Sequence, residues 1–379
     1  MGASRLKREK RTNRGKMDIT FLSFVLILLT IGLVMLFSAS YAYSLEYYSN
    51  SYKFIIRQAL LGAVGVGVIF ALSRIDYHVW SKIARIIYYA SMVMLIVLLI
   101  IPPMVKGMDV KRWLVLGPIN FQPSEIAKFA IILLLSTLIA GNYKNVKKFS
   151  FIAFLLAILG VTCVLIIAEP HISATVLVFC IGVVLLIVGG LPKKYIIIGA
   201  LAGIFGVVMI ILTGAISYGS DRVKYWLDPW ADPTGKGFQT IQSLLAIGSG
   251  GILGRGIGQS RQKYLWVPEP HNDFIFSIVC EELGLIGALV IIILFCLLMW
   301  RGFTIAMHAP DKFGSLLALG LTFQVGLQAM LNIWVVTNTI PNTGIGLPFF
   351  SYGGTSLIIL LAEMGIVLSV SRGANIEKT

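Results

Sequence analysis

The residue in this chain best placed to do chemistry is Asp273. It follows the polar run Pro268-Glu269-Pro270-His271-Asn272 and precedes the apolar Phe274-Ile275-Phe276. Its carboxylate therefore falls where a polar loop meets an apolar helix. Two uses fit that place. As a helix cap it would accept a backbone N–H. As a general base it would take a proton from a hydroxyl, because partial removal from water raises a carboxylate's basicity while leaving it reachable. Ser277 and Glu281 follow on roughly the same helical face. Glu281 and Glu282 stand inside apolar sequence, where a charge must be paired or line a cavity.

The loop before Asp273 is rich in cations and glycine. Lys236, Arg255, Arg261 and Lys263 lie in or near the run GSGGILGRGIGQS, whose backbone N–H groups could meet a diphosphate; a flexible linker is the alternative. It is not a nucleotide loop, since no Gly-x-Gly-x-x-Gly frame is present and Lys236 completes no P-loop. Phe238, Ile241, Leu244 and Leu245 recur at helical spacing, which suits a helix lying on a membrane surface. Trp226, Trp230 and Trp266 suit the interfacial belt. Glu269 and His271, beside Asp273, are further candidates for touching substrate.

A second constellation lies earlier. Glu125 and Lys128, three residues apart on an expected helix, can pair with each other, and a structural ion pair is the expected role. Arg112 and Trp113 precede them. A guanidinium beside an indole suits an anionic, sugar-bearing lipid head, with a plain belt tryptophan as the alternative.

The elements that must position these residues are membrane spans. Hydrophobic residues make up 57% of the 379 and charged residues 13%, which excludes an ordinary soluble domain. With about 20 apolar residues per crossing, ten spans are expected, near 18–37, 54–73, 83–101, 124–140, 151–168, 172–190, 195–217, 273–300, 313–337 and 343–371. The fold is thus an all-α polytopic membrane domain over 18–372, with a basic tail at 1–17, a large outer loop at 218–272 and a short tail at 373–379. Residues 337–356 are rich in Gly, Pro, Thr and Ser yet uncharged, and predict a non-helical plug before the last helix.

Arg and Lys crowd residues 1–16 and recur in alternate loops, which places both termini in the cytoplasm. The net charge of +14 is then a topology signal, and a nucleic-acid-binding tail is not expected. The four cysteines, Cys163, Cys180, Cys280 and Cys296, fall inside expected spans and read as buried thiols. No spacing of His, Cys, Asp or Glu builds a metal site.

Together these motifs resemble the SEDS family (FtsW, RodA and SpoVE). The matching pieces are FSAS at 37–40, KRWL with FQPSEIAK at 111–128, the loop from Asp228 to Gly284, and NTGIGLPFFSYGGTS at 342–356. GQSRQK and PEPHNDFIF are closer to the FtsW/SpoVE branch. The resemblance implies a peptidoglycan glycosyltransferase that polymerises lipid II at the outer face of the bacterial cytoplasmic membrane, in cell division or sporulation. It matches the family's motif aspartate to Asp273 and its motif tryptophan to Trp113. Undecaprenyl diphosphate would be the leaving group, met by Arg255, Arg261, Lys263 or Arg112, and a divalent cation (Mg or Mn) would suit the same charge. The expected partners are a class B penicillin-binding protein (a transpeptidase) and division or sporulation proteins. A lipid II flippase, or a scaffold that recruits the transpeptidase, is the rival reading. One motif departs: where the family has a proline-aspartate element, this chain reads Glu169-Pro170-His171.

Overall fold

The structure, a computed structural model, describes residues 15–101, 113–116, 119–169, 171–192, 194–195, 199, 217–264 and 266–374. Helices dominate: α1 (Ile19–Tyr48), α2 (Lys53–Arg74), α3 (His78–Ile100), α4 (Pro123–Gly141), α5 (Phe149–Ala168), α6 (Ile172–Val188), α7 (Ser217–Leu227), α8 (Phe238–Gly250), α9 (Ile275–Met307), α10 (Lys312–Val336) and α11 (Thr355–Ser371). Among the described residues, α1–α5, α9 and α10 are long and apolar enough to cross a membrane, and α6 and α11 are shorter apolar helices. The chain is a multi-pass membrane protein.

Several ends are set by local chemistry. Asp18 caps α1 by accepting from the Phe21 N–H at 2.8 Å, and Asp311 caps α10 through the Gly314 N–H at 2.9 Å. Pro123 opens α4, where its missing N–H costs nothing. The short span expected at 124–140 is this helix, well formed despite its two charges.

Some expected boundaries are corrected. The first helix runs to Tyr48, beyond the predicted 37, because Ser38, Ser40 and Ser44 are buried polar positions within it rather than a stop. The last begins at Thr355, not 343. Gly344, Phe349 and Gly354 take positive φ (71°, 67° and 49°), which no right-handed helix can include. The uncharged 337–356 connection is accordingly non-helical over most of its length. A short antiparallel hairpin, β1 (Leu114–Leu116) with β2 (Ile119–Phe121), adds the one pair of strands among the described residues. Most of the span expected at 195–217 lies outside them.

Small residues bring the helices together. A Cβ on Gly65 of α2 would sit 2.3 Å from Leu361 Cδ1 of α11, and one on Gly365 would sit 3.0 Å from the Ile69 Cα. In lipid, where burial of apolar surface gives little drive between helices, such close backbone approach supplies the packing. α4 runs through the core against α3, α6 and α10.

Helix α9 is broken at Gly284, with φ 67° and ψ −170°. The break frees backbone groups, and the glycine-rich run takes them. Arg255 N donates to the Glu281 carbonyl (3.0 Å), Gly256 N to the Glu282 carbonyl (2.9 Å), and Leu285 N to the Gly251 carbonyl (3.0 Å). A Cβ on Gly254 would lie 2.3 Å from the Glu282 carbonyl oxygen, so this run is built for backbone contact with α9. It is neither a free linker nor an open phosphate cradle.

The carboxylates complete the clamp. Glu282 Oε1 accepts from Ser38 Oγ (2.6 Å), Ser260 N (3.2 Å) and Lys263 Nζ (3.0 Å). Glu281 accepts from Ser260 Oγ, from Arg261 N (2.9 Å) and from Gln262 N (3.3 Å). Both glutamates and Lys263 are buried. Removing one partner of such a pair leaves an uncompensated buried charge, typically costing about 3–5 kcal/mol. Lys263→Met is expected to lower the thermal midpoint of the detergent-solubilised protein sharply. Lys263→Met with Glu282→Leu should recover most of that loss.

Candidate functional site

A cavity of about 550 Å³ opens among α2, α4, α6, α10, α11 and the segments flanking Asp273. Asp273, Glu269, Trp113, Glu125 and Lys128, all singled out from sequence, line it. Arg57, Gln122, His171, Gln328 and Tyr352 join them.

The main chain at Asp273 is fixed by amides on α10. Asn332 Nδ2 donates to the Asp273 carbonyl and to the Ile345 carbonyl, each at 2.7 Å. Gln328 Nε2 donates to the Gly346 carbonyl at 3.1 Å. From the other side, Ser351 Oγ donates to the Asn272 carbonyl (2.7 Å) and Tyr352 N to the His271 carbonyl (2.8 Å). The carboxylate itself lies against glycine. A Cβ on Gly344 would come within 3.5 Å of Oδ2, and one on Gly346 within 4.0 Å of Oδ1. Asp273 is half-buried, which gives a carboxylate reachable from the cavity.

The capping role is set aside. Helix α9 begins at Ile275 with Phe274 as its N-cap and no side-chain cap bond. A turn over 271–274 separates Asp273 from the helix, so it does not share a regular helical face with Ser277 and Glu281. Glu269 lies across that turn at φ 44°, accepting from Asn272 Nδ2 at 2.7 Å.

Glu125 and Lys128 form their ion pair at 2.8 Å. Lys128 Nζ also donates to Gln328 Oε1 at 3.2 Å, and so links α4 to the amide that holds Gly346. The pair is part of the cavity wall as well as a bridge between helices.

The loop cations are elsewhere. Lys263 is buried on Glu282, with further bonds to Ser38 Oγ (3.0 Å) and the Gly258 carbonyl (2.7 Å). Arg255 turns to the Ser249 carbonyl and lies 3.8 Å from Glu281. Arg261 is an exposed side chain whose N–H is held by Glu281. Lys236 is exposed, its ammonium 5.6 Å from the Tyr225 ring centroid. None of the four lines the cavity. Arg112 lies outside the described residues.

Arg57, at the start of α2, brings its cation to the cavity beside Tyr352. The sequence signal was available, since a guanidinium inside an apolar run needs a reason. Gln122, Gln328 and His171 carried weaker signals, being single polar residues at helix starts or within spans. Among the described residues no three of His, Cys, Asp and Glu gather as a metal-ligand set.

His271 is buried behind the cavity wall, its ring 4.4 Å from Phe54 and 4.8 Å from Tyr43 by centroids. Burial lowers its pKa from the ordinary 6.5 to about 4. The unfolded chain therefore binds the extra proton first. Stability from this residue is complete above about pH 6.5 and is lost as pH falls through 4, by about 3 kcal/mol in all. A thermal midpoint that falls across this window, and a flatter profile in His271→Phe, is the expected outcome of melting curves taken against pH.

Comparison with known proteins adds a family frame. Residues 19–376 match the FtsW/RodA/SpoVE family, described as "Cell cycle protein". The chain is 39% identical over 368 residues to stage V sporulation protein E of Bacillus subtilis (strain 168), covering 95% of this chain and 98% of that one. It is 39% identical over 367 residues to the probable peptidoglycan glycosyltransferase FtsW of Geobacter sp. (strain M18), covering 94% and 98%. Among solved structures, a chain from "Structural coordination of polymerization and crosslinking by a peptidoglycan synthase complex" superposes with TM-score 0.78 at 29% identity, covering 94% and 98%. The Thermus thermophilus rod shape determining protein RodA superposes with TM-score 0.70 at 26% identity, covering 95% and 98%.

Proposed function

The chain belongs to the FtsW/RodA/SpoVE family of cell cycle proteins, and we propose that it is a peptidoglycan glycosyltransferase that polymerises lipid II at the outer face of the bacterial cytoplasmic membrane. The observation that carries the site assignment is the meeting of a carboxylate on a firmly held main chain, Asp273, with the cations Arg57 and Lys128 around one cavity.

The reaction needs both. The acceptor is a sugar hydroxyl, a poor nucleophile until its proton is taken. Asp273 accepts that proton as the oxygen attacks the donor's anomeric carbon. The bond from that carbon to the lipid diphosphate breaks, and the diphosphate leaves with the electron pair. Inversion at carbon requires one base and no covalent nucleophile. Such a base contributes typically about 10²–10⁴-fold. The charge growing on the leaving diphosphate falls to Arg57 and Lys128. Arg57 replaces the loop cations in this role, because they are committed to Glu281 and Glu282 or lie on other surfaces. Asp273 and Glu269 have no third carboxylate or imidazole gathered with them as a metal cage among the described residues, so no step is assigned to a divalent cation.

The Lys/Arg bias of the sequence supports cytoplasmic termini, with the 218–272 loop outside. A class B penicillin-binding protein is the proposed partner, on the strength of the likeness to a chain of a peptidoglycan synthase complex. Division or sporulation proteins are proposed from the named relatives.

With purified lipid II and the parent protein making glycan chains, Asp273→Asn is expected to slow polymerisation at least ~100-fold. Parental rates in that variant would end the base assignment. Arg57→Gln should lower kcat/KM about tenfold, roughly the loss of one charge-assisted hydrogen bond. Arg261→Gln should leave KM unchanged.

A further inference from the structure

The outer ends of α1 and α2 form an aromatic tip that the reaction above does not use. Over 41–54 the chain reads YAYSLEYYSNSYKF. Tyr47 and Tyr48 close α1 and are exposed, Tyr47 by 62%. Depth separates them from a membrane belt. Helix α1 starts beside the Asp18–Arg301 ion pair, and its 30 residues make about 45 Å against a hydrocarbon core of about 30 Å. Tyr41 already reaches the headgroup level where belt tyrosines sit, and Tyr47 lies about 9 Å further along the helix.

A chain of rings joins this tip to the cavity. Tyr47 packs on Tyr43 at 4.5 Å between centroids, Tyr43 on His271 at 4.8 Å, and His271 on Phe54 at 4.4 Å. Phe54 meets Tyr352 of the cavity wall at 4.8 Å. His271 stands two residues before Asp273, so the tip is fixed relative to the proposed base. Lys53, at the head of α2, holds its ammonium 3.1 Å from the Tyr48 ring centroid. Arg57, four residues on, lines the cavity, which puts two cations in line on one face of α2. Glu46 is the one acid between 41 and 57.

We propose that this tip binds the glycan strand as it leaves the cavity, with Tyr47 under a sugar ring and Lys53 on the acidic peptide that the strand carries; the proposal rests on the glycosyltransferase reading above. The C–H face of an N-acetyl sugar is apolar and gains by covering an exposed aromatic ring. Tyr47 is backed by Tyr43 and still mostly exposed, so a sugar can cover it. Tyr48 is covered by Lys53 and holds that ammonium at the rim. A strand kept on the tip stays beside Asp273 for the next addition, and chains grow longer before release.

The test is the affinity of the full-length protein in detergent for a soluble, uncrosslinked strand fragment, two disaccharides each with its stem peptide. Tyr47→Ser and Lys53→Gln are each expected to weaken binding about fivefold, the loss of one such contact. Tyr47→Phe keeps the ring and Lys53→Arg the charge, and both should stay within about twofold of the parent. Glycan chains made from lipid II should shorten in the first pair and not in the second. Parental affinity in Tyr47→Ser or in Lys53→Gln would overturn the proposal, as would Tyr47→Phe as impaired as Tyr47→Ser. Parental affinity with activity lost only in lipid nanodiscs would assign Tyr47 to the headgroup layer instead. Parental affinity with activity lost only beside the transpeptidase would assign it to a partner surface. A parent that binds the fragment with the expected ranking but makes no glycan would end the glycosyltransferase reading and leave the strand-binding tip standing. Should Tyr47→Ser not fold, Tyr47→Gln takes its place against Tyr47→Phe, with the same expected order.

Discussion

A carboxylate removed from water must be met by donors, and two adjacent ones in α9 organise the chemistry-bearing end of this protein. Glu281 and Glu282 draw in Ser38 from α1, Ser260, Lys263 and the backbone of 261–262. Their carbonyls, exposed by the break at Gly284, take the N–H groups of 255–256. The loop is thereby fastened to the helix that begins just after Asp273. The Asp273 carboxylate stays half-buried at the cavity, while Glu281 and Glu282 further along the chain are held by these donors.

The cavity follows a second rule, that irregular backbone inside a membrane domain needs partners from side chains. The non-helical stretch before α11 gets them from Asn332 and Gln328, and the segment before α9 gets them from Asn332 and Ser351. Asn332 serves both stretches at once, and so fixes Asp273 against Gly344 and Gly346. Lys128 extends the same network to α4 through Gln328. Asp273, the glycine-lined wall and the Glu125–Lys128 pair are therefore parts of one hydrogen-bonded assembly. Substitutions within it should affect geometry and chemistry together.

Much of this was legible in the sequence, for reasons that differ by residue. Asp273 stood out because polarity changes abruptly there, and Glu125 with Lys128 because a three-residue spacing on a helix decides its own pairing. The helices were legible as apolar runs, although their ends were not. The start of α11 depends on left-handed backbone at 344, 349 and 354, and the length of α1 on serines that tertiary contacts bury. The surroundings of the cations were the least legible. Charge alone does not say which way a side chain faces, and Lys263 is claimed by partners 19 and 225 residues away in sequence. Arg57, a single cation near the head of a span, was not singled out from the sequence and lines the site.

The most direct test of this account is a structure of the full-length protein with a non-reactive lipid II analogue bound. The diphosphate is expected between Arg57 and Lys128, with the acceptor hydroxyl position about 3 Å from the Asp273 carboxylate. A diphosphate seated instead on Arg255 and Arg261, with Asp273 remote from either sugar, would contradict it.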